Sequence, residues 1–200
     1  MTWIIVISVI GGITSGAFLV PDSLISKIDV FVTGALAFLL FCIGMDIGKN
    51  RAILKSLYKD GLKIVFLPIS IAIGSIFGTV LLGLFMGIPV NETSAVGAGF
   101  GWYSLSGIMI TQIYNTETGT LAFLTNVWRE ILACIIIPIA AKYFGKYAAI
   151  APGGATTMDV TLPVIQKSVG TDMVMTAFIN GAILSAMVPI LVPLLIKIPF

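Results

Sequence analysis

The sequence predicts an all-α polytopic membrane protein with about five transmembrane helices and two opposed re-entrant hairpins. Three observations carry that expectation. First, the composition is 58% hydrophobic and only 10% charged, with a mean hydropathy of +1.10. Soluble domains carry roughly 25% charged residues. Second, apolar runs of spanning length, about 17–25 residues, recur along the chain. Third, two segments are too polar and too broken by glycine for ordinary spanning helices.

The five runs lie at about 2–20, 29–47, 62–87, 119–144 and 172–196. The first lacks a basic region before it and a small-residue cleavage site after it, so it reads as a retained helix. The broken segments are GAGFGWYSLSGIMITQIYN (97–115) and GGATTMDVTLPVIQKSVG (153–170). Lysine and arginine counts orient the spans, because short cytoplasmic loops are enriched in them. The loop at 46–63 holds Lys49, Arg51, Lys55, Lys59 and Lys63 and belongs inside. The turn at 21–29 holds Lys27 beside Asp22 and Asp29 and belongs outside. A full crossing by 97–115 would put Lys142 and Lys146 outside. Entry and return from the outer side instead leaves Lys142, Lys146 and Lys167 inside. By the same count 153–170 enters from the inner side. The expected topology is a single domain over 1–200, with the N-terminus cytoplasmic and the C-terminus outside the cell membrane.

Non-helical backbone at membrane depth survives only where protein or a wet cavity satisfies it. Both hairpins are therefore expected to line a cavity. A weak repeat links them. TLAF (120–123) precedes Asn126 and Pro138, and TAF (176–178) precedes Asn180 and Pro189. The offset brings Gly101 onto Gly154 and Ser106 onto Asp159. A unit with one full crossing must return upside down, and inverted repeats with broken segments are a pattern of secondary transporters.

Several function classes recede. The net charge of +2 and the lack of a basic, aromatic-interleaved cluster argue against nucleic acid. Histidine is absent, which removes most metal sites, and no cofactor is expected. Cys42 and Cys134 lie apart in apolar runs and read as buried thiols. The GxGD signature of intramembrane aspartyl proteases is missing. A sodium-coupled transporter of another small amino acid or carboxylate stays open, as does a purely structural membrane subunit.

The candidate chemistry follows from polar residues in apolar surroundings. Arg129 and Glu130 sit about 15 Å into the fourth run, at 1.5 Å per residue. Charges at that depth cost several kcal/mol and mark functional sites or structural ion pairs. Neighbouring helix residues point about 100° apart, so the two need not pair. Asp159 is either a helix N-cap or a cavity carboxylate, where desolvation would raise its pKa and allow proton exchange. Gly153 and Gly154 with Thr156, and Gly97, Gly99 and Gly101, offer free N–H groups to a substrate carboxylate. Trp102 and Tyr103 are substrate contacts or interfacial belt residues. Ser104 and Ser106 follow on the same hairpin. Asn126 and Asn180 either bridge helices or touch substrate. Asp46 reads as interfacial.

The stretches GFGWYSLSGI (99–108), REILACIIIP (129–138), GATTMDVTLPVIQ (154–166) and DMVMTAFINGAILSAMVPIL (172–191) resemble the lysine exporter LysO family, as does FCIGMDIGKN (41–50). The resemblance covers essentially the whole chain and corresponds to the C-terminal two-thirds of longer members, which begin with about three more spans. It implies export of L-lysine and its toxic analogue thialysine, driven by proton exchange, with Glu130 and Asp159 as the intramembrane acids. The N-terminal third would be supplied by a small separate membrane subunit, or a homodimer would do without it. With Arg129 at +1 and the two acids at −2, the remaining −1 suits the ε-ammonium of lysine.

Overall fold

The computed structural model describes residues 62–198 continuously, and before them positions 11, 14, 15, 31, 34, 35, 37, 38, 41 and 45. The chain divides into two compact units, Met1–Gly44 and Met45–Phe200. In the first unit every described residue is helical. Thr14 and Ser15 both return their hydroxyls to the Gly11 carbonyl, at 3.0 and 2.6 Å. Phe31, Phe38 and Phe41 are exposed. Apart from those positions, the expected spans at 2–20 and 29–47 lie outside the described residues, as do Asp46 and nearly all of the basic loop at 46–63.

The second unit consists of helices joined by short turns among its described residues. Helix α1 spans Leu62–Met86, α2 Val90–Gly97, α3 Tyr103–Ile113 and α4 Thr116–Phe144. A 3-10 segment follows at Ala151–Met158, then α5 at Leu162–Val169, a 3-10 turn at Thr171–Met173 and α6 at Val174–Ile196. Among the described residues, three helical stretches are long and apolar enough to cross a membrane: Val65–Met86, Thr116–Phe144 and Thr171–Ile196. They coincide with the third, fourth and fifth expected spans.

Local chemistry sets the boundaries. Helix α1 stops at Gly87, whose φ of 71° suits glycine. Helix α4 starts three residues before the expected 119, because Asn115 caps it by accepting the Thr118 N–H at 2.7 Å. Lys142 sits in its last turn, and Gly145 at φ 88° ends it. Helices α3 and α4 meet backbone to backbone. A Cβ on Gly119 would come within 2.8 Å of the Gly107 carbonyl, and one on Gly107 within 3.1 Å of the Gly119 carbonyl. Such small-residue contacts let membrane helices approach closely.

The first broken segment is larger than the expected 97–115. Its first arm is α2, which begins at Val90, and its tip is 98–102, between α2 and α3. The polar sequence VNETSAVG reads as loop, yet its buried face makes it a helix. The second segment likewise starts early, at Ala151, and kinks at Gly154 (φ 57°, ψ −126°).

The packing is inverted relative to a soluble domain. Ser106, Thr157, Thr161, Asn126 and Asn180 are buried, while Phe66, Phe77, Phe85, Trp128 and Ile135 are exposed. Apolar surface turned outward around a polar interior is stable only in a lipid surround. The apolar core proper, including Phe100, Ile110, Ile137, Ile179, Leu184 and Val188, holds the broken segments against α4 and α6.

Candidate functional site

The two broken segments meet tip to tip. The Ala155 N–H donates to the Phe100 carbonyl at 2.8 Å. Phe100 is the one non-glycine residue with positive φ among the described residues, at 49°. A conformation of that kind costs roughly 1–3 kcal/mol and persists only where the surroundings impose it. Gly101 (φ 96°) and Gly154 (φ 57°) flank the contact. A Cβ on Gly154 would run into the Phe100 carbonyl oxygen and lie 3.0 Å from an Arg129 nitrogen.

Each tip is held by an asparagine on a long helix. Asn126 of α4 accepts the Gly101 N–H at 2.7 Å and donates to the Val96 and Ala122 carbonyls at 3.2 and 2.9 Å. Asn180 of α6 donates to the Gly154 carbonyl at 3.2 Å and to the Thr157 hydroxyl at 3.0 Å. Both asparagines are thus bridges to hairpin backbone. They differ in one respect: the buried Asn180 Oδ1 accepts no hydrogen bond.

Arg129 works on the same junction. Its Nη1 donates to Ser75 Oγ at 2.6 Å, and that hydroxyl donates to the Gly97 carbonyl at 2.8 Å. Its Nε reaches the Pro152 carbonyl at 3.4 Å. The guanidinium therefore lies near the C-terminal end of α2, where carbonyl dipoles favour a cation, and it ties α1, α2, α4 and the 3-10 segment together. It forms no ion pair with a carboxylate among the described residues.

Glu130 faces another direction, as adjacent helix positions must. It is half-buried, with no hydrogen bond or ion pair to a described residue. It does lie within Coulombic reach of Asp159, and the Tyr103 hydroxyl senses both acids. Asp159 is exposed, and its Oδ1 accepts the Val160 N–H at 2.6 Å. The N-cap alternative for Asp159 fails, because the residue preceding α5 is Thr161 and no side chain caps that helix. Tyr103 packs edge-on against Phe123, with ring centroids 5.5 Å apart.

The remaining candidates are structural or peripheral. Thr156 returns its hydroxyl to the Gly153 carbonyl at 2.8 Å and contacts Thr161 Oγ1 at 3.3 Å. Gly153 has no room for a side chain, since a Cβ would lie 2.6 Å from both Thr157 and Thr161. Ser106 is fully buried and bonds the Trp102 carbonyl at 2.8 Å. Trp102 is half-buried and Ser104 exposed. The site thus has two parts: a buried junction of Arg129, Asn126, Asn180 and the two tips, and an accessible cluster of Glu130, Asp159 and Tyr103.

Sequence reasoning missed Ser75, Thr157 and Glu92. Ser75 is one small residue in an apolar run and carries no signal by itself. Thr157 sits inside the motif already singled out. Glu92 accepts the Tyr114 and Thr118 hydroxyls at 3.1 and 2.8 Å, but its position in a polar stretch reads as ordinary loop.

An apolar outer surface, a buried polar seam and broken helices meeting inside the bundle define an integral helical membrane protein. The sequence profile of the family described as lysine exporter LysO matches residues 6–196, and the chain belongs to that family. The protein named lysine exporter LysO from Escherichia coli is 36% identical over 157 residues, covering 78% of this chain and 52% of that protein. A Haemophilus influenzae protein named "Putative lysine exporter" is 34% identical over 155 residues, covering 76% of this chain and 77% of that protein. The matched region thus spans about half the length of the Escherichia coli relative. No solved structure matches.

Proposed function

We propose that the protein exports L-lysine, and with it thialysine, in exchange for protons, through Glu130 and Asp159. The observation that carries this reading is the separation of the charges. Arg129 is committed to hairpin backbone, whereas Glu130 and Asp159 share one electrostatic neighbourhood with Tyr103. Two acids in one electrostatic neighbourhood would hold one cation or one proton more readily than both charges bare, so lysine and protons would compete. The names of the relatives support lysine as the cation.

Arg129 then acts as a positioning residue and not as the counter-charge of the substrate. The tips offer backbone polar groups beside the acids, where the substrate α-groups would be read. The matched roles of Asn126 and Asn180, each bracing one tip, support an inverted repeat about the tip-to-tip contact. Rocking about that contact would expose the acids to each side in turn. A ligand biases such an equilibrium only through different affinities for the two states.

One observation favours a sodium-coupled alternative. The unpaired Asn180 Oδ1 is a neutral buried oxygen of the kind a sodium ion accepts. Proteoliposomes separate the two readings. Lysine flux that follows an imposed pH gradient and ignores sodium supports antiport, and the reverse supports sodium coupling.

A further inference from the structure

We propose that the groove between the end of α4 and α5 binds the headgroup of an anionic glycerophospholipid. The groove has a volume of about 710 Å³ and is lined by Lys142 and Lys167 together with Pro138, Ala141, Pro163 and Val164. It lies away from the tip-to-tip junction and shares no residue with it.

Each lysine occupies the last turn of its own helix, where it complements the carbonyl dipoles. That explains each lysine singly but not their convergence on one cavity. Two ammoniums on one groove repel unless an anion lies between them. No carboxylate of the described residues supplies it. The nearby cation Lys146 already has its acid, Asp172, at 2.6 Å, and neither groove lysine forms such a pair. Lys142 instead rests over the Tyr143 ring, 5.3 Å from its centroid.

The apolar part of the groove chooses between anions. A free phosphate gains nothing from Pro138, Ala141, Pro163 and Val164, whereas a glycerol backbone and the first methylenes do. Beyond the groove, Ile131, Ile135 and Ile139 form an exposed stripe at four-residue spacing, each 49–58% exposed, and Lys142 follows one turn later. An acyl chain along this stripe would bring its phosphate to the lysines. Basic pockets between membrane helices are recognised sites for acidic headgroups.

Native mass spectrometry of the purified full chain tests the proposal with three probes: phosphatidylglycerol, phosphatidylcholine and inorganic phosphate. Phosphatidylglycerol should be retained in preference to phosphatidylcholine, and excess inorganic phosphate should not displace it. Lys142→Gln combined with Lys167→Gln should weaken retention about thirty-fold, or roughly fivefold per charge. Lys146→Gln, which removes a charge from the same end of α4 but outside the groove, should leave retention unchanged. Both groove lysines are exposed, and the melting temperature of each variant verifies folding independently. Equal retention of phosphatidylcholine, displacement by phosphate, an unaffected double variant, or an equal loss in Lys146→Gln would each overturn the assignment.

Discussion

The backbone N–H of Ala155 donates to the carbonyl of Phe100 at 2.8 Å, so two chain segments 55 residues apart are joined at their tips. This contact needs glycine at position 154, where φ is 57° and a Cβ would strike the Phe100 oxygen. The left-handed conformation alone costs a non-glycine residue roughly 1–2 kcal/mol. Gly154→Ala should therefore lower the melting temperature in detergent and abolish transport. Gly74→Ala and Gly78→Ala, where a Cβ meets nothing within 4 Å, should leave both unchanged. Equal melting temperatures for all three variants would remove the tip contact from the argument.

Arg129 and Glu130 are neighbours with separable roles. Arg129 bonds Ser75 and the Pro152 carbonyl. Hydrogen bonds to a charged group contribute about 1.5–3 kcal/mol each. Arg129→Gln should therefore reduce the folded fraction on size-exclusion chromatography. Arg129→Lys should rescue poorly, because an ammonium cannot reproduce the fork that reaches two partners. Glu130→Gln should elute as the native protein does. Normal folding of Arg129→Gln would contradict the positioning role.

The two asparagines should respond differently to loss of one end of the amide. Asn126 uses its oxygen for the Gly101 N–H, and truncation leaves that buried donor unpaired at about 1–3 kcal/mol. Asn126→Asp turns its second oxygen onto the Val96 and Ala122 carbonyls but keeps the acceptor for the buried Gly101 N–H, so it should retain part of the stability that Asn126→Ala loses. Asn180 uses only its nitrogen. Asn180→Asp removes that donor and puts a carboxylate against the Gly154 carbonyl, so it should be at least as damaging as Asn180→Ala. Thermal unfolding of the four variants checks the predicted inversion of order.

What the sequence announced was what depends on apolar length and on charge out of place. The spans at 62–87, 119–144 and 172–196 were legible because a bilayer tolerates little else. Glu130 and Asp159 stood out because a charge in apolar surroundings is costly. The partners of Arg129 were not legible. Ser75 and the carbonyls of Gly97 and Pro152 have no sequence signature, since any residue supplies a carbonyl and serine is common in membrane helices. The arms of the broken segments were also obscured. Helix α2 is polar in composition, and its burial is decided by α1 and α6 packing against it, which local periodicity does not report.

The acids themselves bear on coupling. Asp159→Asn and Glu130→Gln preserve shape and remove charge. Each should abolish the thialysine resistance conferred on a lysine-export-deficient host while the protein still reaches the membrane. Full resistance at normal expression would take the substituted residue out of the mechanism.

The proposed proton exchange can be tested through the sign of the driving force. Under the proposed export, lysine would leave the cell as a cation, against an inside-negative potential that costs about 2.3 kcal/mol per charge at 100 mV. Export therefore needs a coupled ion. With no histidine in the chain, the proposed antiport assigns the proton to Glu130 and Asp159. In proteoliposomes, lysine should move opposite to an imposed proton gradient and slow when that gradient is collapsed with an ionophore. Arginine and ornithine should compete less well, because the distance from the tip backbone to the acid pair is set by the fold. The Asn180→Ala variant sharpens the comparison. Under sodium coupling, loss of its unpaired Oδ1 would shift the sodium dependence of transport; under proton antiport, the pH response should keep its midpoint and lose only amplitude. Lysine flux that persists without a pH gradient and rises with sodium would make the sodium-coupled reading the correct one.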